Sequence, residues 1–200
     1  MATPNIYAMF VQLHAEAMGI GNFRDDPNLL DTPRRVENAY NELLRGHTVS
    51  SKLEIDEMLQ VTFKTTHQEL TIVNDIRAVG VCPHHFLPVL YRISVGYIPE
   101  KTAIGLSKIP RIVQLLAARA VLQEDLTYDI ADIFFEEPLG PKGVAILVTG
   151  FHTCMSIRGV RAHEATTTTS AVRGLFLDND KGCKDEFMRL ALHGGGFPWT

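Results

Sequence analysis

The sequence predicts an α+β fold built on an antiparallel sheet. Helical periodicity dominates the first 60 residues, and from residue 61 the texture turns to alternating β-prone runs. The order is helices, a strand group, two helices, a strand pair and a closing helix, rather than strands and helices alternating one by one. No linker or repeat divides the chain. It is therefore expected to form one domain, with residues 1–60 as a helical N-terminal region, 61–193 as the β-rich body and 194–200 as a loose tail.

Residues 6–18 carry apolar side chains at helical spacing, and Gly19 and Gly21 end that helix. Asp31-Thr32-Pro33 opens a second helix, in which Thr32 is placed to cap and Pro33 suits the first turn. Val36, Tyr40, Leu43 and Leu44 form its stripe, and Gly46 ends it. Residues 52–60 read as a short amphipathic helix. Strands follow at Val61–Phe63, Leu70–Val73 and Leu87–Ile98. Pro99-Glu100-Lys101 is a turn leading to a return strand at Ala103–Leu106, so that a hairpin is expected there. Ser107 is expected to cap a long helix whose buried face runs from Ile109 to Val121, ending at Gln123-Glu124. Thr127–Glu137 is a further helix and Gly143–Phe151 a strongly alternating strand. Residues 165–173 are threonine-rich and β-prone, and Asp180–Leu192 is the closing helix.

With 46% hydrophobic residues, the 200-residue chain has the means to bury a core. A net charge of −4 gives it no overall attraction to nucleic acid or an anionic membrane. Met1-Ala2-Thr3-Pro4-Asn5 has no basic region followed by an apolar stretch, and no apolar run is long enough to span a bilayer. The count of three cysteines is low and odd, which fits a reducing compartment; a cytoplasmic location is expected. Cys183, among charged residues, reads as a surface thiol.

The chemistry concentrates in Cys82-Pro83-His84-His85 and His152-Thr153-Cys154. A tight turn lets Cys82 and His85 point at one ion, and Cys154 arrives from a distant strand. Two thiolates and one imidazole make three protein ligands, the pattern of a zinc site with a position left for water. Such a zinc brings the pKa of its water to about 7. His84 and His152 remain as acid–base partners, or as a fourth ligand if the site is closed and structural. Lys108 and Arg111 sit on the first turn of a helix, where cations disfavour the dipole unless an anion binds, so Ser107-Lys108-x-x-Arg111 is a phosphate-site candidate. Arg158, Arg161 and Arg173 add to this set. In a net-acidic protein they suit a polyanionic small molecule better than a long nucleic acid.

The ordered set of motifs resembles the GTP cyclohydrolase I family. It comprises Cys82-Pro83-His84-His85, Val95-x-Tyr97-Ile98-Pro99, Gly105-Leu106-Ser107-Lys108-x-x-Arg111-Ile112-Val113 and Gln123-Glu124-x-Leu126-Thr127, then His152-x-Cys154-Met155-x-x-Arg158-Gly159-Val160 and Thr166-Thr167-x-Thr169-Ser170-Ala171-x-Arg173-Gly174-x-Phe176. The resemblance covers roughly residues 30–190. It implies the T-fold (tunnelling fold) for residues 61–193, in a toroidal homodecamer of two pentamers with active sites between subunits. It implies hydrolysis of the GTP imidazole ring, release of C8 as formate and reclosure to 7,8-dihydroneopterin triphosphate. Carried over, Cys82, His85 and Cys154 are the Zn2+ ligands and His84 and His152 the catalytic histidines. Ser107, Lys108, Arg111 and Arg158 contact the triphosphate, Arg35 of Thr32-Pro33-x-Arg35 joins them from a neighbouring subunit, and Gln123 and Glu124 read guanine.

The chain departs from the family pattern at Pro83, where Glu is usual, and at Asp125, where Arg usually follows Gln-Glu. Thr149 and Asn38 stand where Glu and Lys are frequent. The alternatives are a nucleotide- or pterin-binding relative without turnover, another T-fold enzyme acting on pterins or deazapurines, and a structural-zinc scaffold.

Overall fold

The computed structural model describes residues 5–136, 138–178 and 182–192. The chain divides into two compact units, Met1–Leu43 and Leu44–Thr200. In the first, α1 (Ile6–Ala17) is capped by the Asn5 side chain, which accepts from the Ala8 amide. Its apolar stripe meets α2 (Thr32–Leu43) and a single 3-10 turn at Phe23–Asp25, burying Val11, Ala15 and Phe23 together. Pro33 sits buried in the first turn of α2, as its fixed φ allows. The Thr32 hydroxyl donates back to the Asn28 carbonyl instead of capping.

The second unit opens with α3 (Val49–Leu59), capped by Thr48. A four-stranded antiparallel sheet follows, in the order β2 (Thr71–Val81), β3 (Pro88–Ile98), β5 (Gly143–His152), β6 (Thr167–Gly174). The α+β class with an antiparallel sheet is as the sequence predicts. Strand pairing is not. β4 (Thr102–Ile104) pairs with β1 (Thr62–Lys64) rather than folding back on β3. The hairpin partner of β3 is β2, which runs eight residues past the expected end at Val73. Asn74-Asp75 reads as a terminator in sequence. In the fold it is a bulge: the register shifts between Val73 and Ile76, Asp75 takes φ 57°, and its carboxylate accepts from Arg92 Nε at 3.1 Å.

β5 is buried on both faces, which its near-continuous apolar run permits. Val144, Ile146 and Val148 enter the main core beneath α4 (Lys108–Ala117) and α5 (Gln123–Phe135). Ala145 and Leu147 face the other way, with Phe176, Phe187 and α7 (Cys183–Leu192). The helix expected to reach Val121 stops at Ala117, because the chain turns there to pair with β2: the Val81 amide donates to the Arg119 carbonyl at 3.0 Å. Gln123 and Glu124 therefore begin α5 rather than ending α4, and Glu124 and Asp125 complement the dipole of its first turn. Asp180, expected to start the closing helix, and the tail from residue 194 lie outside the described residues.

Candidate active site

The hairpin of β2 and β3 is closed by the turn that carries the metal-binding motif. The Cys82 amide donates to the Leu87 carbonyl at 2.9 Å, and the Cys82 carbonyl accepts from the amides of His85 and Phe86 at 3.4 and 2.9 Å. Pro83 follows the first residue of this turn, where a fixed φ is favourable and no amide hydrogen is needed. The departure at Pro83 is thus compatible with the turn. Next to it, β5 ends at His152 opposite Val89, and a one-turn helix, α6 (Thr153–Ser156), turns Cys154 inward. The Thr153 hydroxyl ties this corner to β3 by donating to the Pro88 carbonyl at 2.6 Å.

The result brings Cys82 Sγ, a ring nitrogen of His85 and Cys154 Sγ within 4.8 Å of one another. The two cysteines are buried (6% and 8% exposed), whereas His85 is exposed, so the group is open on one side. His84 is exposed on the same turn, its Nδ1 3.9 Å from Cys82 Sγ. Burial, with the neighbouring Cys82, pushes the Cys154 thiol above its usual range, while the Arg158 guanidinium acts in the opposite sense. Two soft sulfur donors and an imidazole fit zinc. Arg158 itself is exposed just beyond α6.

His152 is held from the other side. Gln123 is 2% exposed, and its side-chain nitrogen donates to the carbonyls of Val148 and Thr167 and to Thr169 Oγ1 at 3.2, 2.9 and 3.1 Å. These acceptors fix the amide orientation, so Gln123 Oε1 accepts from His152 Nε2 at 2.9 Å. Nδ1 is then the lone-pair nitrogen of the neutral ring. Burial lowers the His152 pKa below its ordinary value, with Glu124 pulling the other way. Glu124 is exposed at the start of α5, one residue along from Gln123.

The cations are not all here. α4 runs alongside β2: Gln114 Nε2 donates to the Arg77 carbonyl at 3.1 Å, and Arg119 lies at Val81, next to Cys82. The first turn of α4, with Ser107, Lys108 and Arg111, lies at the far end of a ten-residue helix, about 15 Å long at 1.5 Å per residue. Ser107 holds the N-cap position but makes no side-chain capping bond. Arg111 lines a groove with Arg45, Glu54 and Glu57. The grouping of Lys108 and Arg111 near the metal site is thus not met within one chain. Arg173 is engaged by Asp132 at 2.7 Å. Arg35 lies on α2 in the first unit, 70% exposed and 3.9 Å from Asp31.

The family model for GTP cyclohydrolase I matches residues 12–192. The chain belongs to the GTP cyclohydrolase I family. Among its relatives, "GTP cyclohydrolase 1" of Campylobacter jejuni is 41% identical over 86% of this chain and 87% of the relative. "GTP cyclohydrolase 1 2" of Nostoc sp. is 40% identical over 90% and 81%, and "GTP cyclohydrolase 1" of Thermoanaerobacter pseudethanolicus is 41% identical over 86% and 88%. The solved apo structure of archaeosine synthase QueF-Like superposes with a TM-score of 0.43 at 19% identity, over 52% of this chain and 93% of that one.

For a GTP cyclohydrolase I relative, two features escape sequence reading. One is the Gln123–His152 bond, which needs β5 and α5 side by side. The other is Gly150, where an added Cβ would collide with Gln123 Oε1 and come within 3.1 Å of Tyr91 Cε1. Gly150→Ala is expected to displace the amide and lower kcat by about 10- to 100-fold while metal content, measured by elemental analysis, is kept.

Proposed function

We propose that the protein hydrolyses the imidazole ring of GTP in a zinc-dependent reaction, releases C8 as formate and yields 7,8-dihydroneopterin triphosphate. The observation that carries this is the convergence of Cys82, His85 and Cys154 in a chain of this family. A bound zinc supplies a water acidic enough to act as hydroxide near neutral pH. Cys82, His85 and Cys154 would hold it, with His85 on the exposed side of the group.

His152, oriented by Gln123, presents Nδ1 to take a proton, and His84, exposed on the turn, delivers one to a ring nitrogen. Glu124 accepts from N1–H and the 2-amino group of guanine together. Adenine lacks both donors on that edge and leaves the carboxylate unpaired. Glu124→Gln turns one acceptor into a donor facing a donor. It is expected to cut kcat/KM for GTP about a hundredfold in steady-state assays, with zinc content unchanged.

Ser107, Lys108, Arg111, Arg158 and Arg35 are proposed as the triphosphate contacts. Because α4 carries its first turn away from Cys82 within a chain, we take the complete site to lie between subunits of a ring, the homodecamer of the family. Two features support assembly. Among the described residues β2 and β6 are the sheet's outer strands, and away from the Val81–Ala120 bridge a neighbour can extend them. Large apolar side chains also stand exposed, among them Phe63 (61%), Leu106 (60%) and Val160 (74%).

No described helix is long and apolar enough to cross a membrane. The proposal is tested by following formate and the ultraviolet spectrum of the product from GTP, beside a His84→Ala control. Formate with a pterin spectrum, lost in the control, is expected. GTP bound without formate would leave a binding relative as the better account.

A further inference from the structure

Residues 118–122 join α4 to α5, and the candidate site depends on this linker from two directions. Downstream, α5 opens with Gln123, the clamp on His152, and with Glu124, the proposed reader of guanine. Alongside runs the end of β2. The Val81 amide donates to the Arg119 carbonyl at 3.0 Å, Val81 and Ala120 form a parallel bridge, and Cys82 follows directly. The other side of the linker is held by the 3-10 turn at Arg45–His47. The Gly46 amide donates to the Ala118 carbonyl at 2.8 Å, and the Ala120 amide donates to His47 Nε2 at 2.9 Å.

The turn is built to sit there. A Cβ at Gly46 would collide with the Leu115 carbonyl oxygen and stand 2.8 Å from that of Ala118, so it is glycine that lets the turn reach the end of α4. The Thr48 amide and the Ser51 hydroxyl both donate to the Arg45 carbonyl, at 3.1 and 2.8 Å, which ties the turn to the start of α3. A backbone amide can only donate. His47 Nε2 is therefore the acceptor, and the ring hydrogen lies on Nδ1. His47 is exposed. Water at the surface can satisfy the Ala120 amide almost as well as an imidazole does, so the bond contributes little to stability. What the ring supplies is place: it fixes the linker just ahead of Gln123 and beside Val81.

We propose that His47 is a positioning residue of the active site, whose imidazole holds the linker through the Ala120 amide and so keeps Gln123 and Glu124 in place against the strand that leads to Cys82. This rests on the reading of the protein as a GTP hydrolase. His47 acts through the backbone of the linker, and a small displacement there is carried directly into the first turn of α5.

The test compares full-length, zinc-loaded wild type with His47→Ala and His47→Gln. The glutamine side chain offers an oxygen that can accept from the same amide. In His47→Ala, deuterium exchange of the Ala120 amide, followed by NMR, is expected to be about tenfold faster. kcat/KM for GTP is expected to fall about tenfold, while Tm and zinc content are kept. His47→Gln is expected to recover most of both losses. In the wild type, the nitrogen-15 shifts of the His47 ring are expected to place its hydrogen on Nδ1. A merely structural role would lower the Tm of His47→Ala and leave kcat/KM of the folded protein unchanged, which would overturn the inference. So would a wild-type ring hydrogen on Nε2, unchanged exchange at Ala120, or a His47→Gln protein as impaired as His47→Ala. A His47→Ala chain that did not fold would overturn it too, because the bond would then carry the fold. Wild type that releases no formate from GTP would instead overturn the hydrolase reading, and exchange at Ala120 would still decide whether His47 holds the linker.

Discussion

Cys154→Ala is expected to lose bound zinc and to lower GTP turnover by about three orders of magnitude or more, since the activated water is worth several kcal/mol of the barrier. Two ligands would remain, one of them the exposed His85, and these do not hold zinc at ordinary concentrations. Elemental analysis and formate release measure the two losses together. The fold should survive. The main core around Ile93, Ile112, Ile130 and Ile146 is aliphatic and spread over β3, α4, α5 and β5, so it does not depend on the metal. Circular dichroism of the variant, and of chelated wild type, should therefore match the native spectrum. Unfolding on chelation would mean a structural zinc, and the open side at His85 would need another explanation.

Mixing an inactive variant with a strongly impaired one is expected to restore activity. Cys82→Ala removes the metal half of the site, and Lys108→Ala weakens the phosphate half. If each site draws these halves from different subunits, denaturing and reassembling equal amounts gives roughly one quarter of sites with both halves intact, by random pairing within a symmetric ring. Formate release should recover to about that fraction of wild type. The basis is the direction of α4, whose C-terminal end leads into Arg119 at Val81 while Lys108 lies at the other end. No recovery, in a mixture shown to contain hetero-oligomers, would place both halves in one subunit and contradict that reading of α4.

How much of this was legible in the sequence varies with the range of the interaction. The helices α1 and α2, the strands β3 and β5 and the metal-motif segments follow from local periodicity and residue chemistry, and they stand where expected. The convergence of Cys82, His85 and Cys154 was inferred from ligand chemistry, and the fold supplies it by setting β2, β3 and β5 side by side. The failures are long-range. Asn74-Asp75 looks like a strand end because both residues favour turns, and only pairing with β3 carries the strand through them as a bulge. The end of α4 at Ala117 is invisible to periodicity, since Ala120 and Val121 continue the apolar spacing. It is the bond from Val81 to Arg119 that stops the helix. Gln123 reads in sequence as a helix end, with a guanine-reading role implied by the family resemblance, and in the fold it is a buried clamp on His152.

The most direct measurement is a zinc titration of metal-free protein with GTP present, following formate release at each addition. The account predicts no formate without metal, a linear rise, and a plateau at one zinc per chain, held by Cys82, His85 and Cys154. Full turnover in the metal-free protein, or a plateau unaffected by Cys154→Ala, would contradict it.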